Sequence, residues 1–244
     1  MNTHDPLLAK LSDASAIQAR FAHVDTWVFD LDNTLYPPGS DLWPRIDQRI
    51  THYLADMFGI DGLSARALQK YYYLRHGTTL KGLMDEHAID ANQFLAFVHD
   101  IDRSGLAPNA ALGEALSVLP GRKLILTNGS REHALRTLEQ LGIHGHFDDI
   151  FDIAAGDLIP KPEAATFDRF FRRHDVDPGK SAMFEDLERN LVVPHERGMV
   201  TTLVVPPLGQ TDHREAVEKT AGDSPSVDFV TSDLGAFLLN AIHP

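Results

Sequence analysis

The 244-residue chain contains no cysteine. That absence removes a disulfide framework, a thiolate zinc site and a cysteine nucleophile together, and it suits a reducing compartment, so the expected location is cytoplasmic. Nowhere does an apolar run approach the ~18 residues of a membrane span. The opening stretch MNTHDPLLAKLSDASAIQARF has no basic region followed by an apolar core, which argues against an export signal. Cations are scarce as well: 22 Lys and Arg stand against 35 Asp and Glu, for a formal charge of −13. Broad attraction to a nucleic-acid polymer or an anionic membrane needs clustered Lys and Arg, so neither is expected as a partner. An anionic ligand must instead meet a local cationic site.

What is present is an ordinary supply of core-forming residues. Hydrophobic residues make up 43% and charged residues 23%, and the length allows one α/β domain with a modest accessory domain. Short apolar runs rich in branched residues read as buried strands: TWVFD (26–30), KLILT (123–127), SAMFED (181–186) and VTTLVV (200–205), with a weaker DIFDIAA near 149–155. Helical patterns of 10–15 residues lie between them, which predicts a parallel, Rossmann-like sheet wrapped by helices. Ser130 is placed to cap REHALRTLEQL, Gly142 to stop it, and Pro162 to occupy the first turn of PEAATFDRFFRRH.

The alternation breaks after the first strand, at YPPGS (36–40), and no strand pattern returns until Lys123. Within the gap, Trp43, Ile46, Ile50, Leu54, Met57 and Phe58 recur at helical spacing and read as the core of an all-helical insertion, with further helices near 64–74, 79–87 and 91–99. The expected organisation is a core of residues 20–36 and 106–244, a small helical cap of residues 37–105 and an N-terminal extension of residues 1–19. Residues 206–226 are polar and read as a surface excursion before a last strand, DFV, and a terminal helix.

In an open parallel sheet, ligands gather beyond the carboxyl ends of the strands. Those ends carry Asp30 with Asp32, Thr127 with Asn128, and Glu185 with Asp186, while Lys161 follows the weaker strand. The set suits phosphoryl transfer. Asp30 would attack phosphorus, and Asp32 would protonate the leaving alkoxide and then activate the water that cleaves the acyl phosphate. Thr127 and the backbone N–H groups of Asn128 and Gly129 would hold phosphoryl oxygens, with Lys161 balancing charge. A carboxylate repels a phosphate dianion, and Mg2+, which takes oxygen ligands, removes that obstacle. Its expected ligands are Asp30, Asp186 and the main-chain carbonyl of Asp32. His144-Gly-His146 has a tempting zinc spacing, but without HExxH or thiolates it reads as a solvated loop.

These residues carry a resemblance. VFDLDNTLY resembles the first motif of the haloacid dehalogenase superfamily, ILTNG its second, Lys161 in IPKP its third and FEDLERN its fourth, in order over residues 28–190. The resemblance implies a magnesium-dependent phosphatase acting through an aspartyl phosphate, with a Rossmann-like core and a helical cap between the first two motifs. Glu185 departs from the Asp more usual in the fourth motif, which points to an orienting role for it, and Asn190 replaces the second acid of many relatives. DLDNTLYPP, the cap stretch YYYLRHGTTLKGL and TNGSREHALRTLEQLGI are most similar to pyrimidine 5'-nucleotidase-like members. That similarity implies a pyrimidine nucleoside 5'-monophosphate as substrate, with Arg75, His76, Thr78 and Lys81 as cap contacts. A phosphatase or phosphomutase for another small phosphorylated metabolite, such as a sugar phosphate or phosphoglycolate, stays open. Asp32 argues against a dehalogenase, since a halide leaves without a proton. A non-catalytic regulatory binding protein is disfavoured because no key group is missing.

Overall fold

The computed structural model describes residues 14–37, 39–215, 218–219 and 224–242. In chain order its elements begin with α1 (Ala14–Phe21) and β1 (Thr26–Phe29). Four helices fill the gap after β1: α2 (Leu42–Phe58), α3 (Gly62–His76), α4 (Thr79–His87) and α5 (Ala91–Val98). Then follow α6 (Ala110–Val118), β2 (Arg122–Leu126), α7 (Arg131–Leu141), β3 (Asp149–Phe151) and α8 (Ala164–His174). The chain closes with β4 (Ser181–Glu185), α9 (Val192–Glu196), β5 (Val200–Val204), β6 (Phe229–Thr231) and α10 (Leu234–Ile242). No helix among the described residues is long and apolar enough to cross a membrane.

The strands form one parallel sheet in the order β3-β2-β1-β4-β5-β6. Because side chains alternate across a strand, β1 feeds two cores at once. Trp27 and Phe29 face α1, α6, α7 and α10 through Phe21, Leu116, Leu138 and Phe237, whereas Val28 faces α8 through Phe167 and Phe170. Aromatic rings tie the first core across the sheet: Phe29 stacks on Phe184 at 4.9 Å, and Trp27 on Phe21 at 5.6 Å. Gly121 has no alternative at the start of β2, since at φ +75° a Cβ there would lie 1.9 Å from the Asp25 carbonyl oxygen.

The inserted helices have their own apolar cluster, built from Leu54, Ala65, Tyr72, Leu83, Phe94, Leu95 and Val98, with Ile153 of the core packed among them. Their starts are set by capping side chains: Asp61 accepts from Leu63 and Ser64 N–H, Thr78 from Lys81, and Asp90 from Asn92 and Gln93. Ser130 caps α7 and Gly142 ends it in a left-handed conformation.

Three details differ from the sequence reading. Pro162 does not start α8: the Lys161–Pro162 peptide is cis, and the helix begins two residues later at Ala164. Of the N-terminal extension, residues 1–13 lie outside the described residues, whereas Ile17, on α1, is buried in the sheet's own core. Trp43, Ile46 and Ile50 line a cavity that opens toward the sheet, so this face of α2 is more than packing.

Candidate active site

β1 sits between β2 and β4, so the chain leaves it to one side and later returns on the other, which opens a crevice at the carboxyl edge. Asp30 lies one residue past β1, and its N–H still donates to the Phe184 carbonyl at 2.9 Å. Glu185 ends β4 beside it and Asp186 follows, while Thr127 N–H donates to the Phe151 carbonyl at 3.0 Å on the other flank. Asp30, Thr127, Lys161, Glu185 and Asp186 are all buried there.

Lys161 is the hub. Its Nζ donates to Asp30 Oδ1 at 2.6 Å, to Glu185 Oε1 at 2.8 Å and to the Leu126 carbonyl at 2.8 Å, which uses all three ammonium protons. Burial pushes its pKa down, but the two carboxylates more than offset this and hold it above the ordinary lysine value. Asn128 clamps the Lys161 backbone from both sides: its Oδ1 accepts from Lys161 N–H at 2.8 Å and its Nδ2 donates to the Lys161 carbonyl at 3.2 Å. The Asn128 side chain is therefore spent on positioning. Gly129 N–H donates to Thr127 Oγ1 at 2.9 Å, and a Cβ on Gly129 would stand 3.3 Å from that oxygen, so the glycine keeps the turn open.

Asp30, Glu185 and Asp186 each bring one oxygen within 4.8 Å of the others, an all-oxygen donor set that fits a hard divalent cation such as Mg2+. Glu185 is already engaged, Oε1 accepting from Lys161 and from Asn190 Nδ2 at 2.6 Å, and Oε2 from Leu187 N–H at 2.7 Å. Asp30 and Asp186 are the carboxylates left for a metal. Burial raises Asp30 to about 7; Lys161 opposes that rise, and the charges of Glu185 and Asp32 add to it. Burial, with the charges of Glu185 and Asp30, also pushes Asp186 well above the usual carboxylate range.

Asp32 has a different setting. Its Oδ1 accepts from Tyr36 OH at 2.6 Å and pairs with His133 Nε2 at 2.8 Å. Burial would raise its pKa, but His133 and these hydrogen bonds outweigh burial and hold it below the usual value. Behind His133, Arg103 Nη2 meets Nδ1 at 2.8 Å and His99 stacks on the ring at 4.3 Å. The sequence reading assigned these residues no part in the site.

The cavity over the carboxyl edge measures about 170 Å³ and continues into the inserted helices. Its apolar wall comes from Trp43, Ile46, Ile50, Leu80, Phe94 and Val98, and its polar wall includes Lys70, Tyr73 and Arg189. Of the expected cap contacts, Thr78 lines the cavity, with its Oγ1 capping α4. Arg75 and His76 do not line it: Arg75 faces Glu86 at 3.9 Å, and His76 pairs with Glu86 at 3.0 Å and Asp85 at 3.5 Å. Lys81 is likewise held by Asp85, one turn along α4. The 206–226 segment is also more than an excursion, because Glu215 and Glu218 line the cavity and reach α3. Lys70 Nζ lies 2.5 Å from Glu215, and Tyr73 OH donates to Glu218 Oε1 at 2.5 Å and accepts from Arg189 Nη2 at 2.7 Å.

A family model described as haloacid dehalogenase-like hydrolase matches residues 24–191. Phosphate metabolism protein 8 of Saccharomyces cerevisiae is 32% identical over 132 aligned residues, covering 50% of this chain and 41% of that protein; the chain thus spans less than half of this curated relative. Two solved structures share the fold with a TM-score of 0.57. One is the putative HAD-hydrolase YfnB from Bacillus subtilis bound to magnesium, 14% identical, with 91% of this chain and 99% of that one covered. The other is CbbY from Rhodobacter sphaeroides in complex with phosphate, 16% identical, with 85% and 93% covered.

Proposed function

Because the chain belongs to the haloacid dehalogenase-like hydrolase family, we propose that it hydrolyses a phosphate monoester through an aspartyl phosphate on Asp30. The observation that carries the reading is the buried Lys161, set between Asp30 at 2.6 Å and Glu185 at 2.8 Å beside Asp186. In the first step an Asp30 carboxylate oxygen bonds to phosphorus as the ester P–O bond breaks, and the departing oxygen takes the Asp32 proton. In the second, Asp32 accepts a proton from water, whose oxygen bonds to phosphorus as the acyl-phosphate bond breaks. Phosphate leaves and Asp30 is restored. The low pKa of free Asp32 fits the basic half of this cycle, and an arriving phosphate raises it for the acidic half by like-charge repulsion. Thr127 Oγ1 and the Asn128 N–H hold the transferring oxygens, and the Gly129 N–H, which donates to Thr127 Oγ1 in the free site, orients that hydroxyl. Asp30, Asp186 and the Asp32 carbonyl would hold a magnesium ion, which would supply charge neutralisation to the carboxylates and phosphoryl oxygens.

The inserted helices, residues 37–105, act in this reading as a cap that selects the substrate. A pyrimidine nucleoside 5'-monophosphate is favoured by the sequence similarity and by the cavity's lining, which combines apolar Trp43, Ile50 and Phe94 with Lys70 and Arg189. A phosphate-release screen with and without Mg2+ tests it. UMP or CMP is expected to be cleaved best, and only with the metal. Efficient cleavage of sugar phosphates or phosphoglycolate with no release from any pyrimidine monophosphate rejects the nucleotide assignment, and phosphoryl return to a bound sugar phosphate makes the protein a mutase.

A further inference from the structure

Behind Asp32 lies a polar assembly that the reaction as written does not use. His133 is fully buried on α7 and Arg103, on the segment returning from the inserted helices, is nearly so. A guanidinium has no acceptor, so Arg103 Nη2 must donate to His133 Nδ1 across their 2.8 Å contact. That leaves Nδ1 bare and puts the ring proton on Nε2, which then donates to Asp32 Oδ1 at 2.8 Å. Arg103 is itself fixed, donating to the carbonyls of His99 at 3.1 Å and Ile101 at 3.0 Å and to Thr137 Oγ1 at 3.4 Å. With Tyr36 also donating to Oδ1 at 2.6 Å, that oxygen has two donors. Among the described residues no donor meets Oδ2. It lies 3.7 Å from the point a Cβ on Gly129 would occupy, and Thr127 Oγ1 lies 3.3 Å from the same point.

We propose that Arg103 and His133 form a buried positioning relay that locks the imidazole as the Nε2–H tautomer, fixes Asp32 through Oδ1, and leaves Oδ2 as the oxygen that exchanges the proton with the leaving group. The inference rests on the acid/base reading of Asp32 above. It assigns no proton transfer to His133. Because Arg103 belongs to the return linker, the relay also ties the seating of the inserted helices to the orientation of Asp32.

The test uses two probes, UMP, whose alkoxide needs a proton to leave, and p-nitrophenyl phosphate, whose phenolate does not. Asn at position 133 can still accept from Arg103 but is too short to donate to Asp32, whereas Gln can reach Asp32. His133→Asn is therefore expected to lower kcat/KM for UMP by roughly a hundred-fold with little change for p-nitrophenyl phosphate, and His133→Gln to restore most of the loss. Equal losses on both esters overturn the relay. Asp32→Asn, run alongside, separates the two claims: if it shows no difference between the esters, the acid/base reading itself fails, while a difference in Asp32→Asn and none in His133→Asn rejects the relay alone. If neither His133 variant folds, 15N spectra of the wild-type ring still decide. A protonated Nε2 with a bare Nδ1 is expected, and a proton on Nδ1 refutes the proposal.

Discussion

Lys161 is one buried cation among three buried carboxylates, and that imbalance governs the residue scale. Burial, with the neighbouring carboxylate charges, outweighs that one cation, so Asp30 is raised to about 7 and Asp186 also stands well above its ordinary value. At about pH 5 the metal-free fold binds protons that a divalent cation must expel, whereas at about pH 8 Asp30 is already ionised. The increase in Tm on adding Mg2+ is therefore expected to be larger at about pH 8 than at about pH 5, and Asp30→Asn should flatten that difference; an increase independent of pH counts against Asp30 as a ligand. His99 adds a second pH dependence, one that needs no metal. Burial holds its pKa down at about 3 against an ordinary 6.5, so the unfolded chain takes up a proton that the folded one refuses. Its contribution is fully present above 6.5 and is lost as pH falls toward 3. Between about pH 7 and pH 5, wild type should lose up to about 2 kcal/mol more unfolding free energy than His99→Gln. Parallel denaturant curves for the two proteins would mean that His99 titrates normally in the fold.

At the scale of elements, the β5–β6 connection works as a strap. Glu215 pairs with Lys70, and Glu218, 10% exposed, accepts from Tyr73 and faces Arg189 at 3.4 Å. The Arg189 guanidinium also stacks over the Tyr73 ring at 4.7 Å, so one cation from the fourth motif joins strap and inserted helix. Exposed ion pairs contribute little singly, about 0–1 kcal/mol. The Glu218 cluster is different, because removing that carboxylate leaves a mostly buried Tyr73 hydroxyl without its acceptor and Arg189 without its counter-charge. Glu215→Ala with Glu218→Ala should therefore loosen the strap locally while the sheet stays intact. The expected readout is a roughly 5–30-fold faster proteolytic nick within 206–226 for a local loss of 1–2 kcal/mol, at nearly unchanged Tm. Unchanged nicking would show that the strap is held by other contacts.

For the molecule as a whole, the sheet and its carboxyl edge were legible because both are local in the chain: each strand is a short apolar run, and Asp30, Thr127 and Asp186 each follow one directly. Long-range pairing was not. His133 looks like any helical residue until Arg103, 30 positions earlier, is brought to its ring. Arg75 and His76 belong to the cap stretch YYYLRHGTTLKGL that is expected to reach the substrate, yet α3 faces the cavity through Lys70 and Tyr73, an orientation set by Tyr72 and Ala65 in the insertion's core. The polar 206–226 segment carries no periodicity from which its contact with α3 could be read. One consequence of composition does survive intact. At −13 the molecule repels the phosphate dianion it is proposed to bind, and the cavity's outer cations are answered, Lys70 and Arg189 by Glu215, Glu218 and Asp47, and Arg214 by Asp212. In the proposed reaction the attraction would be confined to Lys161 and a metal at the floor, while the repulsion extends over a Debye length of about 10 Å at 0.1 M salt. Screening should thus help association more than it harms binding. With Mg2+ saturating, kcat/KM for a nucleoside monophosphate is expected to rise as ionic strength goes from about 0.01 to 0.15 M; a steep fall instead would mean that a local positive field steers the substrate in spite of the net charge.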